Sequence, residues 1–502
     1  MKVAFISPYE LGGLSRYNIG LAYVMSSVAQ KHEVTLLGLT FRPKDYLRFI
    51  QKEMEESKPD VIAFSVTTYT FQKGLEIAGL IRRVYPDIPF IFGGVHPTLL
   101  PEETIEQPLV DAICIGEGEK SFLEYLDKLE KGQEPEVDGI WYKDSKGSIH
   151  KNPLRPFEED IDSLTFPNWD YWGIKRYLET NLYYLPGSMS ILSSRGCPYN
   201  CSFCSNKAIR EAVPGRYYRV RSPENVIAEI KMNLEKYQHK GLKSIFFGDE
   251  IFGVDYRWLE AFCELYIKEG LSKRLPWYCE TRADIITKQW ARTAARANCK
   301  LVLLGIESGD DYIRRQVYKK DISQEAIMEA VPNLKDNGIA FMFSMILGCP
   351  QDTKKTIRAG IKLVKQLNPI VSYWNFYQPL PKTELASKIV WQRDKELKEF
   401  WQIPRIRTLS LNTKDLNRLM LDIRIMQVCQ FLRWGIKLKK GGFILDIIKY
   451  IFSIGNCRKI PLRNFYIRYD IEQKTIFKYI LSDKENNSAR ENHINMKNSN
   501  QG

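Results

Sequence analysis

The 502-residue sequence lacks any uninterrupted apolar run approaching the ~18 residues of a membrane-spanning helix; FILDIIKYIFSI comes nearest and is broken by Asp446 and Lys449. Its start, MKVAFISP, has no charged segment followed by an apolar core and a small-residue cleavage site, so a secretory leader is not expected. Ten cysteines in so long a chain do not make a disulfide framework, and three fall within eight positions, too close to pair sensibly. A reducing cytoplasm is the expected compartment. The pattern G-x-G-x-x-G is absent, so a nicotinamide cofactor has no support. GEGEKS is no phosphate loop either, because Glu119 separates Gly118 from Lys120 and the earlier glycine is missing.

What is present describes a globular chain: 44% hydrophobic residues with mixed charge, in a length that suits about three domains. The net charge of +13 is uneven, since residues 401–502 carry 19 Lys and Arg against 8 Asp and Glu. The basic part is therefore the tail region.

Residues 1–135 alternate short apolar runs (KVAFISP, EVTLLGL, DVIAFSV, PFIFGG, AICIGEG) with amphipathic helical segments. That alternation predicts a Rossmann-like doubly wound α/β domain with ligand beyond the carboxyl ends of its strands. Ser65, Thr67, Gly93, Gly94, His96, Gly116 and Gly118 fall there. Residues 136–185, rich in Pro, Asp and aromatics with KDSKGS as a hairpin turn, read as a linker packing across two domains. The alternation restarts over 186–390 with MSILSS, SIFFG, WYCET, LVLLGIE, AFMFSMILG and IVSYWNF, which suits an open (β/α)6 partial TIM barrel. Residues 391–482 read as a mostly helical basic region, and 483–502 as a disordered polar tail.

The cysteines of RGCPYNCSFCSN, at 197, 201 and 204, follow the first barrel strand at the rim where barrel enzymes keep their chemistry. A structural zinc site wants four ligands, usually as two spaced pairs. The next cysteine and histidine here, Cys263 and His239, lie inside predicted helices. Three thiolates suit a cubane iron–sulfur cluster with one iron left open.

The spacing C-x3-C-x2-C, with Phe203 before the last cysteine, resembles the signature of the radical S-adenosylmethionine (SAM) superfamily. The resemblance implies a [4Fe-4S] cluster on Cys197, Cys201 and Cys204, SAM chelated to the open iron, and reductive cleavage to a 5′-deoxyadenosyl radical. It places Phe203 against the adenine. It gives FFGDEIF, with Gly248, Asp249 and Glu250, to the SAM ammonium, a pairing favoured by charge-assisted hydrogen bonds. Glu280 and Arg282 of WYCETRAD, and Glu307 and Ser308 of LGIESG, are placed at SAM or in ion pairs of the barrel rim. Cys349 of ILGCPQDT is read as a packed small hydrophobe.

The first domain, with strand–GG–VHP and IGEGE ends ahead of such a barrel, looks like the cobalamin-binding subgroup of that superfamily. Gly93 and Gly94 are expected to permit close backbone approach to the cofactor. D-x-H-x-x-G is absent, so base-off cobalamin is expected without a His96–cobalt bond, the other reading being His96 as lower ligand. The function implied is methylation of an unactivated carbon of a small, hydrophobic substrate. The rivals are oxidative cyclisation of a porphyrin-like substrate and a non-catalytic corrinoid or cluster carrier. The implied partners are a reducing donor such as flavodoxin or ferredoxin, and no nucleic acid. The basic segment with Arg433, Lys437, Lys439 and Lys440 reads either as a helical lid or as a peripheral membrane contact.

Overall fold

The computed structural model describes residues 1–8, 18–39, 46–179, 185, 187–388 and scattered positions between 415 and 427. The expected basic helices and polar tail lie outside the described residues, apart from those scattered positions.

The first sheet holds β1 (Lys2–Ser7), β2 (Glu33–Gly38), β3 (Val61–Ser65), β4 (Phe90–Gly93), β5 (Ala112–Cys114), β6 (Ile140–Lys143) and β7 (Ile149–Lys151) in the order β2-β1-β3-β4-β5-β6-β7. β1 to β5 pair in parallel, while β6 and β7 form an antiparallel hairpin on the edge around the KDSKGS turn. β1 and β3 are buried along almost their whole length, as expected of strands covered on both faces by helices. The order reverses beside β1, and the doubly wound rule puts a ligand there, beyond the strand ends.

The second sheet contains β8 (Ser188–Ile191), β11 (Ser244–Phe247), β12 (Trp277–Thr281), β13 (Cys299–Glu307), β14 (Ala340–Leu347) and β15 (Ser372–Phe376), all parallel and in chain order. A separate antiparallel pair, β9 (Ser194–Arg195) with β10 (Arg219–Val220), lies just past β8. Six parallel strands with helices between them form the open partial barrel. Helix starts follow local chemistry: Ser222, Thr287 and Ser323 accept backbone N–H groups of the first turn, and Thr353 makes a reciprocal capping box with Thr356.

The two sheets share one apolar core. It runs from Phe5 and Leu21 through Trp169 and Trp172 to Ile245 and Trp277. The segment between the sheets is fastened on both sides. Asn168 donates its backbone N–H to the Ser26 hydroxyl (2.8 Å), and Asp170 pairs with Lys236 of the barrel helix Pro223–Tyr237 and with Lys240 just after it. Leu419, Ile423 and Met426 are buried against the same core.

Candidate active site

The loop after β8 carries Cys197, Cys201 and Cys204, all half-buried and none in a disulfide. Its course is fixed from three directions. Ser202 donates its N–H to the Tyr318 carbonyl (2.8 Å) and its hydroxyl to the Val317 carbonyl (2.6 Å), and accepts the Leu385 N–H (2.8 Å). Gly196 sits at φ +78°, and a Cβ there would lie 2.4 Å from the Tyr217 carbonyl oxygen, so only glycine fits. Cys204 precedes the helix Ser205–Ala212 as its N-cap.

Asp249, at the end of β11, is spent inside the protein. Its carboxylate accepts the Ser193 N–H (3.0 and 3.1 Å), the Ser193 hydroxyl (2.7 Å) and the Ser194 hydroxyl (2.5 Å). Burial raises its pKa to about 6 against those hydrogen bonds. Glu250 beside it is solvent-accessible. It accepts a hydrogen bond from Asn206 Nδ2 (2.8 Å), and the same amide lies 3.3 Å from Cys204 Sγ. The Tyr217 hydroxyl in turn donates to Asn206 Oδ1 (2.5 Å). Glu280 lies at the end of the adjacent paired strand β12, next to the strand end that carries Glu250.

Arg282 is buried and bonded bidentately to Asp284 (3.0 and 2.8 Å), and stacks 3.8 Å over the Tyr199 ring of the cysteine loop. Glu307 adopts φ +64° and pairs with Lys320 at 2.9 Å, both side chains about nine-tenths buried. A Cβ on Gly305 would lie 2.5 Å from both Glu307 Oε1 and Lys320 Nζ, so a side chain there would displace the pair. Ser308 accepts the Asp310 N–H (3.2 Å), and its carbonyl accepts from the buried Arg314 (2.8 Å). Phe203 packs edge-on against Tyr318 at 5.2 Å, and Gly248 donates its N–H to the Ile191 carbonyl (2.9 Å). Cys349 is fully buried in the same small cluster.

The thiols fit an iron–sulfur group. Burial pushes all three up, Cys204 to about 12, so the free thiols are protonated and give up protons only to a bound metal. At Cys201 the cations of Lys320 and Arg282 oppose burial, which suits a thiolate in a charged cluster. Among the described residues no group of three or more His, Cys, Asp and Glu is arranged around one metal ion.

Beyond the ends of β1, β3, β4 and β5 lies a cavity of about 260 Å³. Ser65, Thr67, Gly93, Gly94, Gly116 and Gly118 line it, together with Phe5, Leu21, Val24, Ile91, Cys114, Glu117, Glu119, Phe122 and Arg195. An apolar wall with a few polar groups at a rim suits one portion of a large cofactor. His96 is not in the lining. It is 2% exposed, stacks on Phe71 at 3.9 Å, and neither ring nitrogen has a hydrogen-bond partner among the described residues; burial lowers its pKa to about 4. Gly94 lines the cavity, and a Cβ there would meet the Val66 carbonyl oxygen at 2.7 Å, so the protein's own backbone demands the glycine as well. A Cβ on Gly93 would make only ordinary contact with Cys114.

Reasoning from motifs placed Glu117 in the Gly116–Gly118 run at the strand end but missed Arg195 and Lys320. Arg195 donates to Glu117 (2.9 Å) and Glu119 (2.5 Å), and Arg219 donates to both Glu117 oxygens (2.9 Å each). Burial would raise the Glu117 carboxyl, but the arginines outweigh it and hold the pKa below its usual value. Arginine two residues before Cys197, and acids flanking Gly118, were the available signal.

Comparison with known proteins agrees with both halves. Residues 13–126 match the B12 binding domain and residues 191–364 the radical SAM superfamily. The chain is 29% identical to an uncharacterized methyltransferase of Pyrococcus horikoshii, over 77% of this chain and 82% of that protein. It is 28% identical to the anaerobic magnesium-protoporphyrin IX monomethyl ester cyclase of Rubrivivax gelatinosus, over 68% of this chain and 60% of that protein. In fold it is similar to the radical SAM methyltransferase TsrM of Kitasatospora setae, solved with cobalamin and a [4Fe-4S] cluster. The TM-score is 0.63 at 19% identity, with 77% of each chain covered. The chain therefore carries a B12 binding domain followed by a radical SAM domain.

Proposed function

We propose that this enzyme methylates an unactivated carbon of a small, hydrophobic substrate. The observation that carries this reading is the half-buried thiol loop, flanked by Lys320 and Arg282, on a barrel rim joined to the corrin-type cavity of the first domain. When bound, the cluster with SAM supplies a hydrogen-abstracting radical, and cobalamin supplies a transferable methyl group. Cys197, Cys201 and Cys204 would hold the cluster. Glu250 and Glu280 would take the SAM ammonium, as paired carboxylates at a cation site. Asp249 acts one step back, fixing Ser193 and Ser194 ahead of the thiols. Phe203 offers an aromatic face beside the last cysteine, and Lys320 and Arg282 hold positive charge against the thiolate side. The lining of the first cavity would receive cobalamin without His96 as ligand. Keeping water from the radical falls to the shared apolar core around both sites.

This chemistry requires a low-potential one-electron donor of the flavodoxin or ferredoxin kind. Cyclisation is the second reading, favoured by the similarity to the magnesium-protoporphyrin cyclase. Among the described residues no helix is long and apolar enough to cross a membrane. Arg433, Lys437, Lys439 and Lys440 lie outside the described residues, and binding of anionic vesicles, lost on reversing the charge at Lys437, Lys439 and Lys440, would support a peripheral contact.

The test is anaerobic reconstitution with iron, sulfide and hydroxocobalamin, followed by desalting, absorption spectroscopy and assay of 5′-deoxyadenosine from SAM. Retained base-off cobalamin with SAM cleavage is expected, and Cys→Ala at 197, 201 or 204 should abolish cleavage. Cleavage that persists in those variants would overturn the reading.

A further inference from the structure

We propose that Arg195, with Glu117, Glu119 and Arg219, positions the cluster loop against the corrin cavity, so that one buried charge network sets the spacing of the two cofactors. This rests on the function proposed above. Arg195 and Arg219 are direct partners across the antiparallel β9–β10 pair, and like charges so placed destabilise a two-stranded ladder. The compensating charge comes from the other domain. Glu117 bridges both arginines and Glu119 takes the second arm of Arg195, with all four side chains at least four-fifths buried. Two cations meet two anions, and truncating one partner of such a buried set is costly.

Both ends of the network reach a cofactor site. Glu117 lies between Gly116, at φ +84°, and Gly118, in the turn that lines the first cavity. It is the N-cap of the helix Gly118–Glu130, yet its side chain makes no cap bond and turns to the arginines instead. Arg195 lines the same cavity, its guanidinium 4.8 Å over the Tyr23 ring. Two residues on comes Cys197, across a glycine whose backbone is locked against Tyr217. Behind Arg195, Asp249 clamps Ser193 and Ser194. The path Glu117–Arg195–Gly196–Cys197 is thus short and held on every side. A displacement of the cavity rim must move the first thiol.

Simple adhesion between domains would use the same contacts, so the test reads spacing. Full-length protein is reconstituted with cluster and cobalamin and reduced until both are paramagnetic. The acceleration of cobalt(II) spin relaxation by the cluster is then measured by EPR power saturation. The variants are Glu117→Gln with Glu119→Gln, the milder Arg195→Lys, and Lys120→Ala, which removes only the outer Lys120–Glu158 pair of the same turn. The expected result is loss of the acceleration in the double variant, partial loss in Arg195→Lys, and none in Lys120→Ala, with iron and cobalamin content unchanged. Unchanged acceleration in fully loaded Glu117/Glu119 and Arg195 variants would overturn the inference while leaving the function intact. Loss of both cofactors together with a lowered melting temperature in Arg195→Lys would show a folding role only and overturn it equally. A wild type holding cluster without corrin would remove the functional reading, and the inference with it.

Discussion

Lys320 and Glu307 form a pair about nine-tenths buried at 2.9 Å, with Lys320 near enough to Cys201 to oppose the effect of burial on that thiol. Breaking a buried pair costs more than the pair contributes, because the remaining charge is stranded. Lys320→Met should therefore destabilise the fold by about 3–5 kcal/mol, while Lys320→Met with Glu307→Leu should recover most of that. Denaturant unfolding of the four members of this cycle measures the coupling, and additive effects would refute it. His96 presents the opposite case, a buried group with no hydrogen-bond partner among the described residues. Its folded pKa is about 4 against an ordinary 6.5, so between those values the unfolded chain binds a proton that the folded chain refuses. Stability from this site is present above pH 6.5 and is lost as pH falls towards 4, by up to about 3 kcal/mol. His96→Phe, which keeps the stack on Phe71, should flatten the fall of unfolding midpoint across that window; an unchanged slope would assign the acid sensitivity elsewhere. At this scale the three cysteines were legible because their spacing is fixed by one loop. Lys320 was not, since a lysine in a KKD run looks solvated until β13 and the turn after it bring it to Glu307.

Among elements, the junction of β8, β9 and β11 decides whether the thiol loop is presented at all. Asp249 gathers three donors from two successive residues of the neighbouring strand end, and hydrogen bonds to a charged acceptor contribute about 1.5–3 kcal/mol each. Asp249→Ala leaves a buried N–H and two hydroxyls without their acceptor. The expected outcome is a loss of about 3 kcal/mol or more in stability and weaker iron retention after desalting, with the three thiols still titratable. Full iron content in a folded Asp249→Ala protein would show that the loop needs no such anchor. The parallel strands were readable from their apolar runs, because burial on both faces leaves few polar positions. β9 and β10 were not, being two residues each with an arginine in both, whose compensating charges arrive from the other domain. For the same reason Asp249 reads in sequence as a ligand for SAM, whereas its acceptor capacity is used by Ser193 and Ser194.

Across the whole molecule, the continuous core makes separate folding of the two sheets unfavourable. Trp169 is fully buried and Trp172 nearly so, in a segment whose Pro- and Asp-rich sequence carries no helical or strand period. They occupy the seam between the first sheet and the barrel: Asn168 and Asp170 beside them bond to Ser26 on one side and to Lys236 and Lys240 on the other. Emptying the Trp169 site should cost about 3–5 kcal/mol. That loss should appear in both domains, because Trp169 belongs to the apolar core that both sheets share. We therefore expect apo protein to unfold in one transition, with near-ultraviolet circular dichroism and far-ultraviolet signals coinciding. Trp169→Ala should lower that single midpoint or split it in two. Two separate transitions in the wild type would contradict the argument, since they would mean that each sheet closes its own core. A single transition has a functional consequence: the corrin cavity and the thiol loop form together, and neither cofactor site persists once the seam has opened.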